Sequence, residues 1–224
     1  MASPYEQDLN YLAQHYSRLV TLYGDSAKGV QWTSTETQEQ RMAVLAQVGD
    51  LQSARILDLG CGTGHLLAFL RQHLGFAGEY IGYDISADMI ATARQKFPGI
   101  RFEQRNILAD GMPQAFDYVL INGVFNNRLS DNWGFLTALL SGVFPSTRQA
   151  LAFNALSRYV DFCDDHLYYA EPTVVFDYCK EHLSPRVTLR HDYLIKPETV
   201  PFEFTVYVYQ TSIKPRKLLR PAEA

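Results

Sequence analysis

Residues 56–64 read Ile-Leu-Asp-Leu-Gly-Cys-Gly-Thr-Gly, a short apolar run that ends in three alternating glycines and passes directly into His65-Leu66-Leu67-Ala68-Phe69-Leu70. Leucyl and β-branched residues bounded by glycine predict a strand, and Leu66, Leu67, Leu70 and Leu74 recur at helical spacing. The glycines therefore form a strand-to-helix turn. Without a Cβ the backbone can take positive φ and approach a ligand closely, while the first N–H groups of the helix stand unpaired. This combination predicts a cradle for a nucleotide-like ligand.

The register narrows the ligand. A G-x-G-x-x-G dinucleotide turn counted from Gly60 needs glycine or alanine at position 65, where this chain has His65. Asp58, on the strand before the turn, suits an ammonium better than a pyrophosphate. A second strand, Tyr80-Ile81-Gly82-Tyr83, ends in Asp84, which is 84 minus 64, or 20, residues beyond the last glycine. An acid at that offset can take both hydroxyls of a ribose.

On these residues the chain resembles the class I S-adenosylmethionine-dependent methyltransferases, and in particular the bacterial small-molecule type. Their first motif looks like Leu57-Asp58-Leu59-Gly60-Cys61-Gly62-Thr63-Gly64 and their second like Gly82-Tyr83-Asp84-Ile85-Ser86. The resemblance spans about residues 50–212. It implies that Gly60, Cys61 and Gly62 pass along the amino-acid part of S-adenosylmethionine, that Asp58 lies near its ammonium and that Asp84 binds the ribose. It also implies that Ile85 and Met89 pack on adenine, with Asn106-Ile107 standing where the family often has an aspartate that reads the adenine amino group. S-adenosylhomocysteine would be the product. Near the start, Gln31-Trp32 and Arg41 resemble a loop and a helix arginine of that family, which implies that Arg41 grips the carboxylate and Trp32 walls the methyl site. Core packing for Trp32 and a surface position for Arg41 are the competing readings.

The expected fold is α/β, a Rossmann-like doubly wound sheet with helices on both faces. Before the first strand the pattern predicts helices at about Tyr5–Leu22 and Thr35–Val48, the second opened by a Thr35/Gln38 capping box. The polar, glycine-containing residues 23–32 between them look like a lid. After Asp84, strands are expected near 100–104, 118–122 and 150–154, with helices begun by Ser86, near 131–140 and at Pro172. The last two strands, 186–195 and 202–210, have only a short connection around Lys196-Pro197-Glu198-Thr199, with no helix. A parallel crossover needs a dozen or more residues, so they pair antiparallel. The family's seven-stranded, mostly parallel sheet with a C-terminal antiparallel hairpin is the same arrangement. The expected organisation is an N-terminal helical extension and lid over 1–50, a methyltransferase domain over 51–212 and a basic tail over 213–224.

The sequence has 224 residues of which 47% are apolar, enough for one sizeable core. A net charge of −4 argues against a nucleic-acid groove or an anionic membrane surface as partner. No apolar run approaches a membrane span and the N-terminus lacks a signal segment, so the expected location is cytoplasmic. The cysteines, Cys61, Cys163 and Cys179, lack metal or disulfide spacing, and no metal is expected. Cys61 is either a thiol near the ligand or a small residue that fits a crowded turn.

Asn122-Gly123-Val124-Phe125-Asn126 ends the fourth strand, beside the methyl group on the family's layout. Asn122 is a cofactor-side residue or a strand-end turn residue. The segment lacks the Asn/Asp-Pro-Pro-aromatic motif of aminomethylases acting on nucleobases or glutamine, which points to a small molecule. Methyl transfer needs alignment more than a base. If a base exists, His166 and Tyr168 in the loop after the fifth strand are the candidates, though a histidine in such a loop is commonly just exposed. His191 and Tyr193 are expected to pack and hydrogen-bond. The expected activity is methylation of an oxygen or nitrogen of a small metabolite. A methyltransferase acting on protein or RNA and a non-catalytic cofactor-binding subunit are the rivals, and the oligomeric state stays open.

Overall fold

The structure is a computed structural model, and it describes residues 4–26, 29 and 34–217. Helix α1 (Glu6–Tyr23) and α2 (Thr35–Leu45) precede the sheet. Strands β1 (Arg55–Leu59), β2 (Glu79–Asp84), β3 (Arg101–Gln104), β4 (Phe116–Ile121) and β5 (Thr147–Leu156) alternate with α3 (His65–Leu74), α4 (Ala87–Lys96), a short α5 (Ile107–Asp110) and α6 (Asn132–Val143). α7 (Pro172–Tyr178), β6 (Val187–Arg190) and β7 (Glu203–Tyr209) complete the chain. The seven strands run in the order β3-β2-β1-β4-β5-β7-β6. β7 is antiparallel to both neighbours, and the other described pairings are parallel. This is the Rossmann-like architecture expected from the sequence.

Strand alternation divides the core in two. Leu57, Ile81, Val119, Leu151 and Val206 face a layer that includes α6 and α7, whereas Ile56, Tyr80, Leu120, Ala152 and Tyr207 face α2, α3 and α4. α6 buries Phe135, Leu136, Leu139, Leu140 and Val143, a stripe at helical period against the first layer. α4 starts and ends as its sequence predicts: Ser86 caps it by accepting from Met89 N at 3.3 Å, and Arg94 and Lys96 fall in the last turn.

Four details differ from expectation. The cap of α2 is Ser34, which accepts from Thr37 N, one residue before the predicted capping box. α7 runs on into a π-helical turn, Cys179–Leu183. β6 ends at Arg190, so twelve residues rather than six connect it to β7; the antiparallel pairing is correct although the argument from a short connection is not. His191, Asp192 and Tyr193 consequently lie in that connection, where His191 Nε2 meets Pro201 O at 2.8 Å and Tyr193 Oη meets Thr205 Oγ1 at 2.8 Å. Among the described residues no helix is long and apolar enough to cross a membrane.

Candidate active site

The strand order reverses between β1 and β4, and open α/β sheets bind ligands at such a switch point, beyond the carboxyl ends of the strands. A cleft opens there. Asp58, Gly60, Cys61 and Gly62 border it from β1 and its turn, and Asp84, Ile85 and Met89 from β2 and α4. Asn106 and Ile107 follow β3, and Asn122 follows β4. Ten of the predicted cofactor residues thus converge on one cleft.

The glycine turn is tied to β2. Gly60 N and Cys61 N donate to Tyr83 O at 2.8 and 3.0 Å, and Gly62 N donates to Asp84 Oδ2 at 2.8 Å. Asp84 Oδ1 accepts from Ser86 N at 2.8 Å, so the carboxylate joins turn, strand and helix start. Gly60 has φ +78°, and a Cβ there would come within 2.3 Å of Val124 Cγ2. Gly60→Ala therefore combines an unfavourable backbone with a clash, an expected loss of about 2 kcal/mol and a Tm fall of roughly 4–8 °C by thermal denaturation.

Two carboxylates dominate the electrostatics. Asp58 is buried and accepts a short hydrogen bond from the Tyr80 hydroxyl. Burial pushes its carboxyl up to about 7, against the Tyr80 donor and with help from Asp84. Burial also raises Asp84, opposed by its backbone donors at Ser86, Gly62 and Ile85. Cys61 is held well above the usual thiol range by burial and by both aspartates, so it stays a neutral small side chain in the turn. A cleft with two desolvated carboxylates suits a cationic ligand.

Asn106 Oδ1 caps α5 by accepting from Leu108 N at 3.1 Å. Asn122 Oδ1 accepts from Asn154 Nδ2 at 2.8 Å, and Asn154 is wholly buried. The same Asn154 amide donates to Glu203 Oε1 at 2.8 Å and accepts from Gly123 N at 2.7 Å. Glu203 in turn pairs with Arg41, whose Nη1 donates to Thr37 O at 2.8 Å. Arg41 therefore lies outside the cofactor cleft: the buried Glu203 on β7 claims its guanidinium, a demand that the strand pattern of β7 does not reveal.

Neither base candidate borders the cleft. His166 is exposed, its backbone N–H donating to Asp164 Oδ1, and Tyr168 packs half-buried against the core of the α6 layer. Trp32 lies outside the described residues. Sequence reasoning also missed the contribution of α1, whose Leu9, Leu12 and Tyr16 roof the cleft. Tyr16 receives a hydrogen bond from Asn127 Nδ2 at 2.8 Å, and burial pushes its phenol up to about 12. The signal was present as apolar residues at helical spacing before the first strand. His65, noticed only as a departure from the dinucleotide pattern, borders the cleft and pairs with Asp25 at 3.2 Å. Asp25 also accepts from Thr63 Oγ1 at 2.5 Å and pairs with Lys96 at 2.6 Å, which fastens the residues just after α1 to the turn and to α4.

Strand order, glycine turn and switch-point cleft together define a Rossmann-like nucleotide-binding protein. A model for a methyltransferase domain family matches residues 51–154. The Mycobacterium tuberculosis (strain H37Rv) protein Rv1506c, provisionally described as a methyltransferase, is 37% identical over 163 residues, covering 70% of this chain and 93% of that protein. A trans-aconitate 2-methyltransferase of Rhodopseudomonas palustris (strain BisB5) is 30% identical over 169 residues, 75% of this chain and 63% of that enzyme's length. Magnesium protoporphyrin IX methyltransferase from Synechocystis PCC 6803, a crystal structure with bound S-adenosylmethionine, shares the fold with TM-score 0.63 at 16% identity, covering 94% of this chain and 99% of that one. The chain belongs to the class I S-adenosylmethionine-dependent methyltransferases.

Proposed function

We propose that the protein transfers the methyl group of S-adenosylmethionine to an oxygen or nitrogen of a small molecule. The observation that carries this reading is the pair of carboxylates, buried Asp58 and half-buried Asp84, at the tips of adjacent strands on either side of the glycine turn. Asp58 would take the ammonium and Asp84 the ribose hydroxyls. Gly60 and Gly62 admit the amino-acid part, Ile85, Met89 and Ile107 offer an apolar slot for adenine, and Asn106 and Asn122 supply amide groups at its edges.

When bound, S-adenosylmethionine supplies a sulfonium methyl: the acceptor's lone pair forms the new bond to carbon, the S–C pair returns to sulfur, and the acceptor sheds one proton to solvent. The chain's own work is alignment and exclusion of water. Asn154 fixes the Asn122 carboxamide, leaving its amide N–H groups for the cleft. Tyr16 is protonated at neutral pH and serves as a wall and hydrogen-bonding group rather than a base. The acidic balance of the chain and the absence of an aminomethylase motif support a small acceptor over a macromolecule.

Calorimetric titration with S-adenosylmethionine and S-adenosylhomocysteine tests the reading; no saturable heat with either would overturn it. pH gives a finer test. The ammonium is best held by ionised Asp58, whose pKa near 7 leaves it mostly protonated at pH 6. Allowing for the ligand's own amino group, affinity should be about fivefold weaker at pH 6 than at pH 7.5. Asp58→Asn should remove that dependence. Without ligand the sign reverses, because the folded pKa of Asp58 lies above its unfolded value. Its contribution to stability is full at low pH and is lost as pH rises through about 7.

A further inference from the structure

A second, wider cavity of about 750 Å³ adjoins the cofactor cleft. Tyr16 and Gly123 border both, so the two spaces meet beside the end of β4. A volume of this order accommodates a drug-sized molecule. Its walls are mainly apolar, including Leu156, Val160, Leu167, Tyr169 and Phe202. Phe162 and Val200 also border it although they are 78% and 44% exposed, apolar surface that no described residue covers.

Charge on these walls is slightly negative. The charge of Arg41 is already matched by buried Glu203, which leaves Lys196 as one cation beside two carboxylates, Asp161 and Glu198, among the described lining residues. No surplus of cations awaits a polyanion. One polar group stands out instead. Asn126 borders the cavity and is nine-tenths buried, yet its Oδ1 is enclosed and accepts no hydrogen bond. Its backbone is engaged, with the carbonyl accepting from Tyr168 N at 2.9 Å, so the segment is held while the amide oxygen is left unmatched. A buried acceptor without a donor is costly in the free protein, and turning the carboxamide toward the cavity lets a ligand donor relieve that cost.

We propose that this cavity is the methyl-acceptor site and that it takes a largely apolar molecule without negative charge, whose hydroxyl or N–H donates to the Asn126 carboxamide. The inference rests on the methyltransferase reading of the adjoining cleft and goes beyond it by naming the acceptor's chemistry. It separates this chain from its trans-aconitate-methylating relatives, since trans-aconitate carries three carboxylates that these walls do not neutralise.

Three probes decide the matter: 2-naphthol, 2-naphthoate and trans-aconitate, titrated by fluorescence or calorimetry into protein saturated with S-adenosylhomocysteine. 2-Naphthol is expected to saturate, with the two carboxylates at least tenfold weaker. Asn126→Leu should weaken 2-naphthol at least tenfold while leaving Tm unchanged or raised, because it removes an unmatched polar atom; a merely structural asparagine would give the opposite pattern. Phe162→Ala, at an exposed site whose loss the fold tolerates, should weaken 2-naphthol severalfold. Failure of 2-naphthol to saturate, equal or tighter binding of trans-aconitate, or wild-type affinity in N126L overturns the proposal. S-adenosylhomocysteine is titrated alone beforehand, so absence of that binding refutes the cofactor reading separately, and 2-naphthol titrated into the ligand-free protein still reads the second cavity.

Discussion

Asp84→Ala is expected to weaken S-adenosylmethionine binding about 100-fold, or about 2.7 kcal/mol, with a far smaller effect on folding. A hydrogen bond from a ribose hydroxyl to a carboxylate contributes about 1.5–3 kcal/mol, and the proposed role assigns Asp84 two of them. The sum is not fully lost, since water can enter the space left by the side chain. Part of the loss is indirect: Asp84 also receives Gly62 N and Ser86 N, so its removal loosens the turn. Calorimetry on the variant measures the total, and a 2′-deoxy analogue separates the parts. The analogue should bind the wild type more weakly than the parent compound but bind D84A about equally. Unchanged affinity in D84A would refute the assignment.

The second large effect concerns stability. Arg41→Met leaves Glu203 wholly buried without its cation, and breaking such a pair costs about 3–5 kcal/mol. Denaturant unfolding should show this loss, which corresponds to a Tm fall of roughly 6–20 °C. The double variant R41M/E203Q should recover much of it, because glutamine keeps an acceptor for Asn154 and carries no charge. The pH dependence has a definite sign. Burial raises Glu203 while Arg41 lowers it, so removing Arg41 raises it further. A folded pKa above the unfolded one gives stability that is present at low pH and lost as pH rises through the folded value. R41M should therefore approach the wild type as pH falls toward 5. A deficit that stays constant with pH would show that Glu203 is not the group responsible.

The parallel half of the fold was legible because its signals are local. The turn at 60–64, the Ser86 cap and the breaks around each strand are written in consecutive residues, and the cleft follows once the strand order is known. That Asp58 and Asp84 border the cleft was legible for the same reason, since strand-tip acids beside a glycine turn stand at fixed offsets. Arg41 was misread because its partner is 162 residues away, and nothing within α2 reports that β7 buries an acid. His166 and Tyr168 were chosen by position in a loop whose course no periodicity fixes. The role of α1 over the cleft escaped because an amphipathic helix announces a face but not what it covers. Asn126 was noted as part of a strand-end motif, but an orphaned acceptor becomes visible only when burial and partners are known.

The two cavities draw on different stretches of chain. Residues 58–124 supply most of the cofactor side, and 156–202 most of the other, with Tyr16 and Gly123 as the shared boundary. On the proposed assignment, recognition of the methyl donor and the choice of recipient are encoded in separable blocks. Substitution in the later block can then retarget such a protein while the donor-reading block stays untouched, which makes diversification of this scaffold a matter of rewriting about one contiguous fifth of the polypeptide.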